Sequence, residues 1–213
     1  MKDTIQILKD IWKDRLLLFS LSTKDFQRKY SGTFFGIFWA IAQPLLTIIV
    51  YWVAFQYGFK SPDVDAIPYA VWFICGIVPW LYVTESFSSA SNCFIEYNYL
   101  IKKFNVVILP LVKILSAFYI HIFFCLIAVG VAVGLKVWPT VYIIQLLYYM
   151  VANIILLFAL SLITSSIVVF FRDLNQIISV ILLIGMWGTP IAWTLAGFPE
   201  AIHKYFKLNP FFY

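Results

Sequence analysis

Uncharged runs alternate with short charged islands along this chain. Residues 30–59, 66–84, 114–135, 137–171 and 174–199 contain no Asp, Glu, Lys or Arg. A helix of thirty residues, the length of the run 30–59, rises ~45 Å, against a bilayer hydrocarbon core of ~30 Å. The pattern predicts an all-α, polytopic helical membrane protein with spans at about 30–59, 67–92, 106–135, 140–171 and 175–197. The runs are far longer than the ~10-residue alternating segments of a membrane β-barrel, which argues against that class.

The first island reads as an amphipathic interface helix. Ile5, Leu8, Trp12, Leu16 and Phe19 recur at three- and four-residue steps, with Lys2, Lys9, Asp10, Lys13 and Asp14 on the other side. Such a helix lies in the plane of the membrane interface. Ile7, Leu17 and Leu18 fall outside the pattern. The chain therefore divides into a cytoplasmic amphipathic interface segment, 1–29, and a transmembrane domain, 30–213. Ser22 or Thr23 is placed to cap a second helix with Asp25 in its first turn. The segment serves either as a surface anchor or as a platform that also contacts a partner subunit.

The second island, 96–105, sets Lys102 and Lys103 beside Leu100, Ile101 and Phe104. Large apolar residues flanked by charge on a short loop indicate a buried contact; the other reading is an interfacial turn with its apolar side in lipid. Glu85 falls ~27 Å down the second span from Ile67, at the headgroup level. Lys113 lies near a span end and is expected to snorkel.

Composition agrees: 63% of residues are hydrophobic and 12% charged, against roughly 25% charged in a soluble domain. Orientation follows from Lys and Arg. Lys2, Lys9, Lys13, Arg15, Lys24, Arg28 and Lys29 precede the first span, and Lys102, Lys103 and Arg172 fall on the same side by alternation. Lys60, Lys136, Lys204 and Lys207 fall on the other. The excess places the N-terminus in the cytoplasm and makes the net charge of +5 a topology signal. The charged opening and late first run argue against a cleavable signal peptide. Cys75 and Cys125 lie in spans and Cys93 at the edge of one, without paired spacing, so neither a metal site nor a disulfide frame is expected.

Within the spans, Gln43, Thr47 and Tyr51 step by four along one side of the first helix. Polar side chains at that depth face protein or a cavity. His121 is ~16 Å into the third span from Pro110 and reads as a neutral histidine bonded to a neighbouring helix or as a functional group. Gly130 and Gly134 are spaced for close helix packing. Arg172 and Asp173 form a turn that either caps the fifth span or contacts a partner. Trp52, Tyr57, Trp72, Trp138 and Trp193 suit an aromatic belt at one interface, whereas Trp39 and Trp80 do not.

Six segments in order carry a resemblance. Arg28-Lys-Tyr30 with Gly36-Ile-Phe-Trp39 and Pro44, then Gly76-Ile-Val-Pro-Trp80, then Asn98-Tyr-Leu-Ile-Lys-Lys103 with Leu109-Pro110 come first. Phe170-Phe-Arg-Asp173, Thr189-Pro-Ile191 and Leu208-Asn-Pro210 follow. Together they resemble the ABC-2 type permeases that export polysaccharides, among them O-antigen, capsule and teichoic acid chains. The resemblance implies a homodimer in the bacterial inner membrane with two ATP-binding partner subunits. Asn98, Tyr99, Leu100, Ile101, Lys102 and Lys103 would couple to the ATPase, with Arg172 as a further contact. A lipid-linked polysaccharide would be the cargo, and Trp39, Gln43, Thr47, Tyr51 and Trp80 would line its path, since aromatic rings contact apolar sugar faces without one fixed hydrogen-bond pattern.

No Gly-x-x-x-x-Gly-Lys-[Ser/Thr] occurs in the chain, so ATP and Mg are expected on the partner and no cofactor on this chain. One departure is plain: the family has six spans, and a sixth is not found in the sequence up to Tyr213. The segment 201–207 reads as an outside, partly amphipathic piece of the kind that precedes the last span in relatives. A drug or lipid permease shares the fold and stays open as an alternative. An integral membrane transferase acting on lipid-linked sugars would need an acid–base or metal cluster at one membrane face, and the two histidines, His121 and His203, form none with Asp or Glu in the sequence.

Overall fold

The computed structural model describes residues 9, 11–32, 34–64, 67–99 and 106–194. Among these, every regular element is helical apart from one isolated antiparallel bridge between Val64 and Ile67. We number the helices α1 (Arg15–Tyr30), α2 (Phe38–Val53), α3 (Tyr69–Ser91), α4 (Cys93–Glu96), α5 (Ile108–Gly134), α6 (Ile144–Phe170) and α7 (Leu174–Gly188). Four helical stretches, Phe38–Gly58, Tyr69–Ser91, Ile108–Gly134 and Val141–Phe170, are long and apolar enough to cross a membrane, and α7 is a shorter apolar helix. The chain is a polytopic helical membrane protein.

Helix α1 corrects one expectation. Ser22 and Thr23 do not cap a new helix; they sit in the middle of α1, where their hydroxyls donate to the carbonyls of Leu18 at 2.8 Å and Phe19 at 2.9 Å. A hydroxyl that bonds back to the preceding turn leaves the helix continuous. The imperfect apolar pattern also has a cause. Leu16 and Phe19 face outward, together with Trp12 just before the helix, whereas Leu18, Ser22 and Asp25 form a buried stripe. Leu18 packs on Ile108, Leu111 and Val112 at the start of α5. The helix thus serves two faces, one against protein and one away from it.

Between α1 and α2 the chain makes turns, with Gly32 at φ 92° and Gly36 at φ 51°. Side chains disfavour that left-handed region, so these glycines permit a sharp change of direction, and α2 starts well inside the uncharged run. Helix α2 ends in a π-helical turn, Ala54–Gly58.

Helix α3 is the centre of the bundle: half of its most apolar window is buried, against at most 28% for the other long helices. Phe73 and Ile77 of α3 meet Ile114 of α5 and Leu157 of α6 in the core, all fully buried. Helix α7 approaches α3 closely. A Cβ placed at Gly185 would lie 2.8 Å from Cη2 of the buried Trp80. Gly130 and Gly134 have no such neighbour among the described residues, where a Cβ at either would meet no atom within 4 Å.

Helix α7 stops at Gly188, short of the end of its uncharged run. Pro190 drives the preceding residue out of the helical region, and Thr189 is extended, at φ −105° and ψ 132°. The chain then turns back into the bundle. Ile191 and Ala192 are buried, the Tyr69 hydroxyl donates to the Ala192 carbonyl at 2.8 Å, and the Trp193 indole donates to the Trp187 carbonyl at 3.1 Å. Non-helical backbone at this depth is tolerated where protein satisfies it. Tyr69→Phe removes that donor and is expected to lower stability by about 1–3 kcal/mol, the cost of stranding a buried acceptor. Thermal unfolding in detergent checks this, and an unchanged midpoint contradicts it.

Candidate functional site

Residues of α1, α2, α3 and α5, among them Arg28 and Lys29, line a cleft of 510 Å³. Its α2 wall carries Trp39, Gln43 and Thr47. One turn separates the last two, and the Thr47 hydroxyl donates to the Gln43 carbonyl at 3.0 Å. Pro44 also lines the cleft and has no N–H, so the Ala40 carbonyl beside it lacks its regular intrahelical donor. The opposite wall holds Tyr82 of α3 and His121 of α5, whose rings stack at 4.5 Å and 17°. The His121 side chain also lies 3.6 Å from the Cys125 sulfur. Among the described residues this histidine is held by stacking on a neighbouring helix and by a contact within its own helix, not by a hydrogen bond to a neighbouring helix.

The mouth of the cleft is ionic. Arg28, Lys29 and Glu85 line it, and Asp25, Glu96 and Lys113 also line the cleft. Lys29 pairs with Glu85, which also accepts from the Ser89 hydroxyl at 3.0 Å. Burial works against the Lys29 ammonium, but the Glu85 charge and hydrogen bond outweigh it and raise its pKa above the usual lysine value. A raised folded value means the contribution is present below the ordinary lysine pKa and is lost only in strong alkali. Both side chains are over two-fifths exposed, at 43% and 46%, so the pair adds at most ~1 kcal/mol. Arg28 is in no ion pair among the described residues and donates to the Tyr99 hydroxyl at 3.3 Å.

A second group lies deeper. Lys113, expected to snorkel, is instead buried at 7% exposure and contacts Asp25 at 2.7 Å and Glu96 at 2.7 Å. The Tyr97 hydroxyl donates to the same Asp25 oxygen, and the Lys113 ammonium sits 4.7 Å from the Tyr97 ring centroid. Burial, then the bond to Asp25, pushes the Tyr97 phenol well above its ordinary pKa and keeps it a donor. Among the described residues no group of His, Cys, Asp and Glu could hold a metal ion.

Residues 17–213 match the family described as ABC-2 type transporter. The chain belongs to that family. It is 26% identical over 213 residues to the O-antigen export system permease protein RfbA of Myxococcus xanthus, covering 97% of this chain and 80% of that protein. It is 28% identical to each of two proteins of the same name from Klebsiella pneumoniae, over 201 and 200 residues, covering 91% of this chain and 75% of each relative. Membership makes the chain a membrane permease, the transport subunit, and implies partnership with an ATP-binding subunit.

In this permease the residues singled out from sequence fall into three places. Trp39, Gln43 and Thr47 line the cleft. Tyr51 lies one turn further along α2, part-buried against the core, and Trp80 is buried beside Gly185. Asn98 and Tyr99 are exposed at the charged end, and Leu100, Ile101, Lys102 and Lys103 lie outside the described residues, as do the landmarks after Trp193. Arg172 is exposed in the turn between α6 and α7. That turn shares the charged end, because Asn175 donates to Asn92 at 3.1 Å and Ser91 bonds Thr164 at 2.7 Å. The Asp173 side chain makes no capping bond to α7. Sequence reasoning missed the cluster around Lys113. Two signals pointed to it: the spacing of Leu18, Ser22 and Asp25 as one helical stripe, and a lysine just after Pro110 where an uncharged run begins.

Proposed function

We propose that this permease exports a lipid-linked polysaccharide of the O-antigen, capsule or teichoic acid type across the bacterial inner membrane. It works as a homodimer with two copies of an ATP-binding subunit, and the N-terminus and the charged end face the cytoplasm. The observation that carries this reading is the cleft, which joins an ionic mouth to a wall bearing an indole, an amide and a hydroxyl. That combination suits a polar chain on a lipid: charged groups meet the headgroup region, and Trp39, Gln43 and Thr47 give weak, repeated contacts to sugars. Tyr51 continues that side of α2 one turn beyond the cleft, and Trp80 lies buried in the core beside Gly185. The names of the relatives support the same cargo class.

In this reading α7 is a fifth span, and residues Asn98–Lys103, with Arg172, form the surface on which the ATP-binding subunit acts. ATP binding closes the two ATPase subunits on each other and shifts these segments, which rearranges the two permease halves. Deleting the gene should leave a lipid-linked glycan on the inner leaflet and none at the surface. The permease should also co-purify with an ATP-binding subunit. Normal surface polymer in the deletion strain would sink the proposal.

A further inference from the structure

Three separate elements meet at Lys113. Asp25 comes from α1, Glu96 from α4 and Tyr97 from the turn after it, while Lys113 belongs to the first part of α5. The partners are distant in sequence, 88 residues for Asp25 and Lys113 and 72 for Asp25 and Tyr97. Anchoring α1 on α5 needs only one acid, because a single carboxylate neutralises a buried ammonium. Here there are two acids and a phenol, and the additional groups both belong to the stretch that leads into Asn98. A second tie runs beside the first: the Arg28 guanidinium of α1 donates to the Tyr99 hydroxyl. Tyr97 and Tyr99 therefore fasten both sides of Asn98 to α1.

Buried charges give such a junction its stiffness. Separating α1 from α5 would break the buried Lys113–Asp25 pair and strand Asp25, whereas withdrawing the Glu96–Tyr97 stretch would take from that pair its second carboxylate and its phenol donor; each loss inside the protein costs more than an exposed contact returns. The Tyr97 ring under the ammonium and the shared Asp25 oxygen add direction to the attraction. Rigid connection of this kind is what a segment needs if displacement at one end is to move a helix at the other.

We propose that Lys113 is a positioning residue for transport: with Asp25, Glu96 and Tyr97 it clamps the segment entering Asn98, helix α1 and the start of α5 into one body that moves as a unit when the ATP-binding subunit acts. This rests on the coupling role assigned to Asn98–Lys103 in the proposed function.

The test uses the permease assembled with its ATP-binding subunit. Surface polymer is measured in cells, and ATP hydrolysis in vesicles from the same cells supplied with the glycan that accumulates in the deletion strain. Lys113→Met and Asp25→Asn are expected to lower polymer exported per ATP about tenfold while hydrolysis stays within about twofold. Lys113→Arg retains the cation and should keep most of the coupling. Glu96→Gln changes the most exposed member of the cluster and should assemble fully with a smaller loss, so it keeps the test decisive if the buried variants do not fold. Unchanged export per ATP in every variant that assembles overturns the clamp. So does a fall in export that only tracks the amount of assembled complex, or failure of all variants to assemble, because each assigns the cluster to folding alone. Failure of the export reading itself would show in the unsubstituted permease, and failure of the clamp only in the variants.

Discussion

Replacing Gln43, Thr47 and Tyr51 together by leucine lowers polymer export by about tenfold or more, with the amount of assembled permease unchanged. Leucine is at home in a membrane helix, and Gln43 and Thr47 bond no other helix among the described residues; the Thr47 hydroxyl bonds only its own backbone. Leucine at 43 and 47 therefore costs the fold little, and leucine at 51 keeps an apolar side chain against the core on which Tyr51 packs. The substitutions remove an amide, a hydroxyl and a phenol from one side of α2. Each hydrogen bond to a passing sugar contributes about 1 kcal/mol net, so losing two or three of them corresponds to a factor of about thirty to a hundred or more in rate or occupancy. Surface polymer, normalised to permease in the membrane, is the measurement. Full export by the triple variant would remove this face from the path.

Gly185→Leu has the opposite signature: little permease accumulates, and what does melts at lower temperature. Even a methyl at Gly185 would lie 2.8 Å from Trp80, whose ring is rigid, buried and unable to swing into solvent. Overpacking of a closed core costs about 1–3 kcal/mol for added methylenes, and leucine adds more than a methyl. Helix α7 must then lift from α3, taking with it the turn at Thr189 that seats Ile191 against Gly76, where a Cβ would stand 3.3 Å from Ile191 Cγ2. Gly185→Leu combined with Trp80→Ala should recover a large part of the loss, because the volume is returned at the point of collision. Thermal unfolding of the single and double variants checks both statements. A double variant no better than the single would mean that something other than the ring sets the approach of α7.

The positions of the long helices were legible because charge is excluded from the bilayer interior and the runs that lack it are long. The breaks inside those runs were harder to see. Residues 30–59 look continuous by hydropathy, yet α2 starts only at Phe38, since Gly32 and Gly36 adopt backbone angles that hydropathy does not report. The stop at Gly188 was legible in principle from Thr189 and Pro190, but the apolar residues on either side mask it. Candidate residues on one helix, such as Gln43 and Thr47, could be grouped by spacing alone. The junction of Asp25, Glu96, Tyr97 and Lys113 could not, because its members are brought together by packing across the bundle and each, taken singly, has an ordinary local explanation.

The two glycines between α1 and α2 have a mechanical consequence. A single rod running from Arg15 into the bundle would carry torque from one end to the other. With Gly32 and Gly36 in left-handed conformations the rod is cut, and α1 and α2 meet at a pivot. One side of that pivot is held to the third long helix by buried charge. The other side, α2, is the least embedded wall of the cleft, with Leu46, Ile49, Val50 and Val53 all exposed. The wall of the cleft that is least covered by protein is thus the one joined to α1 through these two glycines.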